Sequence, residues 1–234
     1  MASFGLGAEP SVEERFRLGA HLDVELHLFT QPIEWEALYR ARTLVERIAR
    51  LSDRVRVRVH NFQEAHADAR RGGIGEVPTI FAGRLGESRV RFVGVPSGPL
   101  LSNLLLDLLD TSRGDTLLQA RTLQTLDELD HPARLRVYAD SRSLVAARLA
   151  RTAHQFALAS SNVVAETICV DDFPGLADAD AVHALPTVVI NEGAGRVEGT
   201  LPEPSFVAQI QRAVSETAPF LEPLRPRPAR AHSS

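Results

Sequence analysis

The sequence predicts an α/β protein made of two tandem copies of one unit, each a mixed sheet flanked by helices. Three observations predict it. The 234 residues are 44% hydrophobic, and the apolar positions are spread along the chain, enough for one large core or two small ones. The order strand, helix, strand, Pro-led strand pair, helix occurs twice. The spacing repeats as well: Pro78 lies 50 residues after Leu28, and Pro186 lies 48 residues after Tyr138.

The first copy opens on the apolar run 24–30 (VELHLFT), read as a strand. A helix over 34–51 follows, because Ala37, Ala41, Leu44, Ile48 and Leu51 recur at helical spacing on one face. Residues 55–59 (VRVRV) alternate strictly, the mark of a half-buried strand with Arg56 and Arg58 outward. A polar helical stretch and a glycine-rich turn at Gly72, Gly73 and Gly75 lead to a strand over 77–81. A further strand ends near Gly94, and a Leu-rich helix over 99–109 closes the unit. That helix is apolar nearly all round, so it is expected to be buried between the two copies.

The second copy runs strand 135–139, helix 143–159, strand 163–170, turn 171–182, strand 185–191, strand 196–200 and helix 203–214. The second helix is expected to bury Val145, Leu149, Ala153 and Phe156. A strand–helix–strand start requires a right-handed parallel crossover, and the Pro-led pair then forms an antiparallel hairpin. The expected boundaries are an N-terminal extension over 1–21 with a short helix at 12–18, the first unit over 22–113, a helical connector over 114–131, the second unit over 132–218, and a Pro/Arg-rich tail over 219–234. The connector carries Leu117, Leu118, Leu123, Leu126 and Leu129 and is expected to pack on both units. The tail, with four prolines, is read as an extended arm or a disordered end.

Composition excludes several function classes. All 26 basic residues are Arg, so no lysine is present to form a Schiff base or complete a P-loop. A net charge of −4 gives no footprint for nucleic acid. No apolar window spans a membrane, and no leader peptide is read at the start, so the expected location is cytoplasmic. One cysteine, Cys169, rules out an intramolecular disulfide and a Cys-rich zinc site. His60, Glu64, His66 and Asp68 fall close together, but their spacing fits no standard metal site. No strand–GxSxG–helix pattern supports a hydrolase. No cofactor is expected.

In the second half, the runs LQTLDELDHPARLRVY, ARLARTAHQFALAS, DFPGLADADAVHALPTVVIN and VEGTLPEPSFVAQI closely resemble the tandem thioredoxin-fold protein disulfide oxidoreductases, a glutaredoxin-like family. The first half matches more loosely, through LVERIARLSDRVRVRVHNF, VPTI and RFVGVPSGP. The resemblance runs from about residue 22 to 215. It implies a thioredoxin-like fold in each half and a Cys-x-x-Cys slot where the first strand turns into the first helix. Those slots here read Ile33-Glu34-Trp35-Glu36 and Ser143-Leu144-Val145-Ala146, with sulfur in neither.

Thiol–disulfide exchange needs an attacking thiolate and a second thiol that resolves the mixed disulfide. A helix N-terminus contributes about a kcal/mol, which activates a thiol but cannot ionise an alcohol. Ser143 therefore reads as a helix cap, Ile33 as inert, and Glu34 and Glu36 as complements of the helix dipole. Cys169 lies in an apolar strand and reads as a core residue. The resemblance further implies that Val77-Pro78 and Leu185-Pro186 form loops facing the slots with the proline cis. Such a loop leaves backbone groups free to pair with an extended peptide. The prolines either serve folding alone or keep a peptide groove. Trp35 is a candidate contact residue at a loop-to-helix corner.

The expected function is that of a redox-inactive, protein-binding adaptor, assembly chaperone or non-catalytic subunit of a larger complex. It carries no catalytic residues, and Trp35, Val77, Pro78, Leu185 and Pro186 are its binding candidates. The alternative is a thiol-dependent oxidoreductase working through Cys169 alone or through glutathione.

Overall fold

The computed structural model describes residues 23–33 and 35–217, together with Ser11, Glu14 and Phe16. Of the expected helix over 12–18 only Glu14 and Phe16 are described, and the position of Glu34 and the tail over 219–234 lie outside the described residues. The element order is β1 (Val24–Thr30), α1 (Glu36–Ala49), β2 (Val55–Asn61), α2 (His66–Gly72), β3 (Thr79–Ala82), β4 (Val90–Val93), α3 (Pro99–Arg113), α4 (Ala120–Asp127), β5 (Ala133–Ala139), α5 (Leu144–Ala159), β6 (Val163–Cys169), α6 (Pro174–Ala179), β7 (Thr187–Ile190), β8 (Gly195–Glu198) and α7 (Glu203–Thr217).

The strands form one sheet in the order β2-β1-β3-β4-β6-β5-β7-β8. Each half has the same internal order, so the duplication is real, and both halves have the thioredoxin topology. In each, the first two strands pair in parallel and the Pro-led strand pairs antiparallel to the first. The halves are fused through β4 and β6, which pair in parallel from Val90↔Ala165 to Val93↔Ile168.

Alternation along the strands feeds two layers. Leu26 and Leu28 of β1 join Ala41, Val45 and Leu104 on one face, while Phe29 joins Phe81 and Val77 on the other. In the second half, Leu135 and Val137 join Leu149, Phe156 and Phe206, while Tyr138 faces Val93 and Ala177. Helices α1, α3, α5 and α7 thus cover one face, and α2 and α6 cover the other.

The Leu-rich helix is buried as its composition predicts. Leu100 packs in the core of the second half, while Leu104, Leu105 and Leu108 pack in the first. Each fully buried leucine contributes about 1.5–3 kcal/mol. Polar side chains lock the same helix onto α5. Asp107, 1% exposed, accepts from Arg151 and lies 2.7 Å from Nδ1 of His154. His154 Nε2 lies 2.7 Å from Thr167 Oγ1 on β6. Arg151 also reaches Asp110, and Asn103 donates to the carbonyl of Ala147 at 2.7 Å. At the strand seam, Glu166 of β6 accepts from Arg91 of β4 at 2.7 Å and from Arg134 of β5 at 2.8 Å.

Three expectations are corrected. Val145 is 46% exposed. Leu149, Ala153 and Phe156 are buried as expected, but the buried stripe of α5 runs through Ala146, Leu149, Ala150, Ala153 and Phe156, and Val145 lies at its edge in the first turn. The connector helix begins only at Ala120. Leu117 stands 90% exposed before it, and Leu126 and Leu129 enter the second core, so the connector packs mainly on α5 and α7. The segment over 171–182 contains helix α6, opened by Pro174 at its first position.

On the opposite face, His27 and His60 stack between Phe81 and Phe29. His27 Nδ1 and His60 Nε2 approach to 2.8 Å. Burial lowers the pKa of both imidazoles. Each also lies near the Arg58 cation, and His60 adds its charge against His27, while Glu25 and, for His60, Asp68 oppose the shift. The folded values therefore lie below the unfolded value of about 6.5. Between the two, the unfolded chain binds more protons, so stability falls as pH drops below about 6.5, by at most about 1.4 kcal/mol per pH unit for each proton. His27→Phe keeps the stack and removes one titration. Urea unfolding between about pH 5 and 8 should show a flatter profile for it than for the wild type. Parallel profiles would exclude this cluster as an acid-sensitive element.

Candidate functional site

The parallel pairing of β4 with β6 decides where the two slots stand. Strands β1, β4, β5 and β6 all run in the same direction, so their carboxyl ends lie along one edge of the sheet. Slot one follows β1 and slot two follows β5, and both open on that edge. The two prolines reach it from the antiparallel strands, since Thr79 pairs with Phe29 and Thr187 with Tyr138. Both Val77–Pro78 and Leu185–Pro186 are cis, as the resemblance implies. In each loop a threonine hydroxyl holds the turn, Thr79 on the Glu76 carbonyl and Thr187 on that of Ala184. Neither Val77 nor Leu185 forms a backbone hydrogen bond within the described residues.

Equivalent in topology, the slots differ in surface. At slot one the chain itself occupies the Trp35 side and the proline loop. The Trp35 ring meets the edge of Phe173, which leads into α6 of the second unit, at 5.4 Å and 86°. Arg40 of α1 pairs with Asp172, whose other oxygen accepts from the Val95 amide at 2.7 Å. Val77 is buried in the cluster with Phe29, Ile74 and Phe81. Ile33 and Tyr39 are exposed at the rim of a cavity of about 520 Å³ that Glu36 and Arg42 also line.

Slot two is open. Ser143 caps α5, its hydroxyl accepting from the Ala146 amide at 3.1 Å, and Ala146 is fully buried. Leu144, Val145 and Leu185 are 65%, 46% and 41% exposed, although all three are apolar. The amino end of α3 comes close to the slot loop because Gly98 has no side chain. A Cβ there would lie 2.5 Å from the Ser141 carbonyl oxygen. Between α3 and α5 this leaves a groove of about 690 Å³ lined by Pro99, Asn103, Leu144, Ala147, Arg148 and Arg151.

Cys169 ends β6 on the same edge, between the slots, but is 2% exposed. Burial, followed by the Asp172 and Asp171 charges, pushes its thiol well above the ordinary range. That is the opposite of what a nucleophilic cysteine requires. Sequence reasoning found both slots and both proline loops. It missed the closing contact of Phe173 with Trp35 and the asymmetry that results, which no local pattern signals. It also missed the His27–His60 pair, whose members lie 33 positions apart on adjacent strands. Among the described residues no group of three or more His, Cys, Asp or Glu is arranged to hold a metal ion, and no helix is long and apolar enough to cross a membrane.

No family model matches the chain, and no curated protein is detectably similar to it in sequence. Solved structures are similar in fold. A protein disulfide oxidoreductase from Aeropyrum pernix superposes with a TM-score of 0.79 at 19% identity, over 87% of this chain and 90% of that one. The NTD_N/C domain of the alkylhydroperoxide reductase AhpF from Enterococcus faecalis gives 0.77 at 16% identity, over 85% and 97%. Sso1120 from Sulfolobus solfataricus gives 0.59 at 14%, over 77% and 93%.

Proposed function

We propose that this chain is a redox-inactive thioredoxin-fold protein that binds an extended segment of a protein partner at slot two, as an adaptor, assembly chaperone or non-catalytic subunit. The observation that carries the reading is the exposed apolar set Leu144, Val145 and Leu185 at a slot that holds Ser143 and Ala146 in place of sulfur. An incoming strand has the unbonded backbone of Leu185 to pair with, and three apolar side chains to cover. Slot one contributes rigidity, since Trp35 and the Val77–Pro78 loop are engaged within the chain.

The chemistry of the slots argues against turnover. No pair of thiols exists, and the one thiol is buried with its pKa raised. Insulin reduction in the presence of dithiothreitol is expected to run at the protein-free rate for the wild type and for Cys169→Ser alike. The binding half is tested with Leu144→Asp/Leu185→Asp. Both positions are solvent-exposed, so stability is expected to stay within about 1 kcal/mol. A partner that co-purifies at fixed stoichiometry is expected to lose at least about tenfold in affinity, the scale of an interface anchor. Cys169-dependent turnover, or a partner indifferent to the double substitution, would overturn the reading.

A further inference from the structure

Resting on the reading above, we infer that the segment taken at slot two is acidic as well as apolar, with a carboxylate two positions from its apolar anchor. The charge around the slot is sorted. The groove between α3 and α5 is lined by Arg148 and Arg151 and by no acidic side chain. Arg151 is already committed to Asp107 and Asp110. Arg148 and the neighbouring Arg142 are exposed, and neither has an ion-pair partner among the described residues. The first turn of α5 carries no acidic residue, whereas that of α1 carries Glu36. The two carboxylates near the loop are turned to its backbone: Asp140 accepts from the Arg142 amide at 3.0 Å and Asp171 from the Ser141 amide at 2.9 Å. The basic side chains are therefore the ones left for a ligand on the α5 side.

Geometry sets the spacing. Leu144 and Arg148 are one helical turn apart on α5, a rise of about 6 Å. In an extended chain, side chains two positions apart share a face and are separated by about 6.6 Å. For a segment lying along α5, an apolar side chain over Leu144 thus brings the side chain two residues away to Arg148. The chain's own tail is the wrong occupant by charge, since Arg225, Arg227 and Arg230 repeat the sign of the groove.

The test uses the full chain and fluorescein-labelled twelve-residue peptides that differ at one position. Each has a Leu anchor and, two positions away in either direction, Glu, Gln or Lys. A control peptide keeps Glu and replaces Leu with Ser, and is expected to bind more weakly than its Leu counterpart. By anisotropy, the better of the two Glu peptides is expected to bind about three- to fivefold tighter than its Gln counterpart, the upper range for an exposed ion pair, and Lys weaker still. The spread should shrink from about 0.02 M to about 0.3 M salt, and Arg148→Glu should invert the order of Glu and Lys. Equal binding of the Leu peptides with Glu, Gln and Lys would overturn this inference and leave slot two as an apolar groove. Absence of binding by every Leu peptide, or self-association of the peptide-free chain abolished by Leu144→Asp, would overturn the function proposed above as well.

Discussion

Asp107→Ala is expected to lower stability by about 3–5 kcal/mol, the cost of removing one partner from a buried ion pair. For a chain of this length that is a fall in Tm of roughly 6–20 °C. Asp107 is 1% exposed, and its two oxygens serve Arg151 and His154, both on α5. Removing the carboxylate leaves a guanidinium 17% exposed with Asp110 alone and a fully buried imidazole paired only to Thr167. Arg151→Met is the informative companion. It leaves Asp107 with His154 and leaves Asp110 with Gln155, which donates to it at 2.5 Å. Its cost should be smaller than that of Asp107→Ala, and the double variant should cost less than the sum of the two. Urea unfolding of the four proteins measures this. Additive effects, or an Asp107→Ala loss below about 1 kcal/mol, would show that apolar packing alone holds α3 on α5.

The sequence carried the parts of this protein that are local or periodic. Alternation in VRVRV, the i, i+4, i+7 faces of α1 and the Pro-led strands were enough for a duplicated α/β unit. The two slots followed from the resemblance and from the absence of sulfur at Ile33, Glu36, Ser143 and Ala146. What was not legible depends on contacts between distant positions. Val145 looks like a core residue in a helix read as starting at Ser143. Ala146, Leu149, Ala150, Ala153 and Phe156 form the buried stripe, and Val145, at its edge in the first turn, stays exposed. Leu117 looks like a core leucine until the helix is seen to start at Ala120. Trp35 has the composition of an interface anchor, yet its partner is Phe173 of the same chain. That pairing required the β4–β6 seam, which places the carboxyl ends of both units on one edge, and nothing in either strand's alternation specifies its neighbour. The contact that engages Trp35 at slot one is thus a property of how the two units are joined.

Gly94→Ala is the sharpest test of that junction, with an expected loss of about 3–5 kcal/mol. Gly94 follows β4 with φ +100°, a conformation that costs a side-chain-bearing residue roughly 1–3 kcal/mol. A Cβ there would lie 2.7 Å from Cys169 Cβ and 3.0 Å from an Asp172 oxygen, adding a comparable penalty for overpacking. The site is tight because the ends of β4 and β6 meet there, and the Gly94 amide also donates to the Pro78 carbonyl at 2.8 Å. The steric part can be separated from the backbone part. Cys169→Ala keeps the offending Cβ and should give no rescue of Gly94→Ala. Cys169→Gly removes it and should recover about 1 kcal/mol or more in a double-mutant cycle, leaving the φ penalty in place. Trp35 is the chain's one tryptophan, which supplies a local readout. If alanine at 94 pushes the end of β6 outward, Phe173 and Asp172 move with it, and Trp35 emission should shift to the red in the still-folded protein. An unshifted spectrum with near-native stability would mean that the seam yields at little cost and does not hold Phe173 against Trp35.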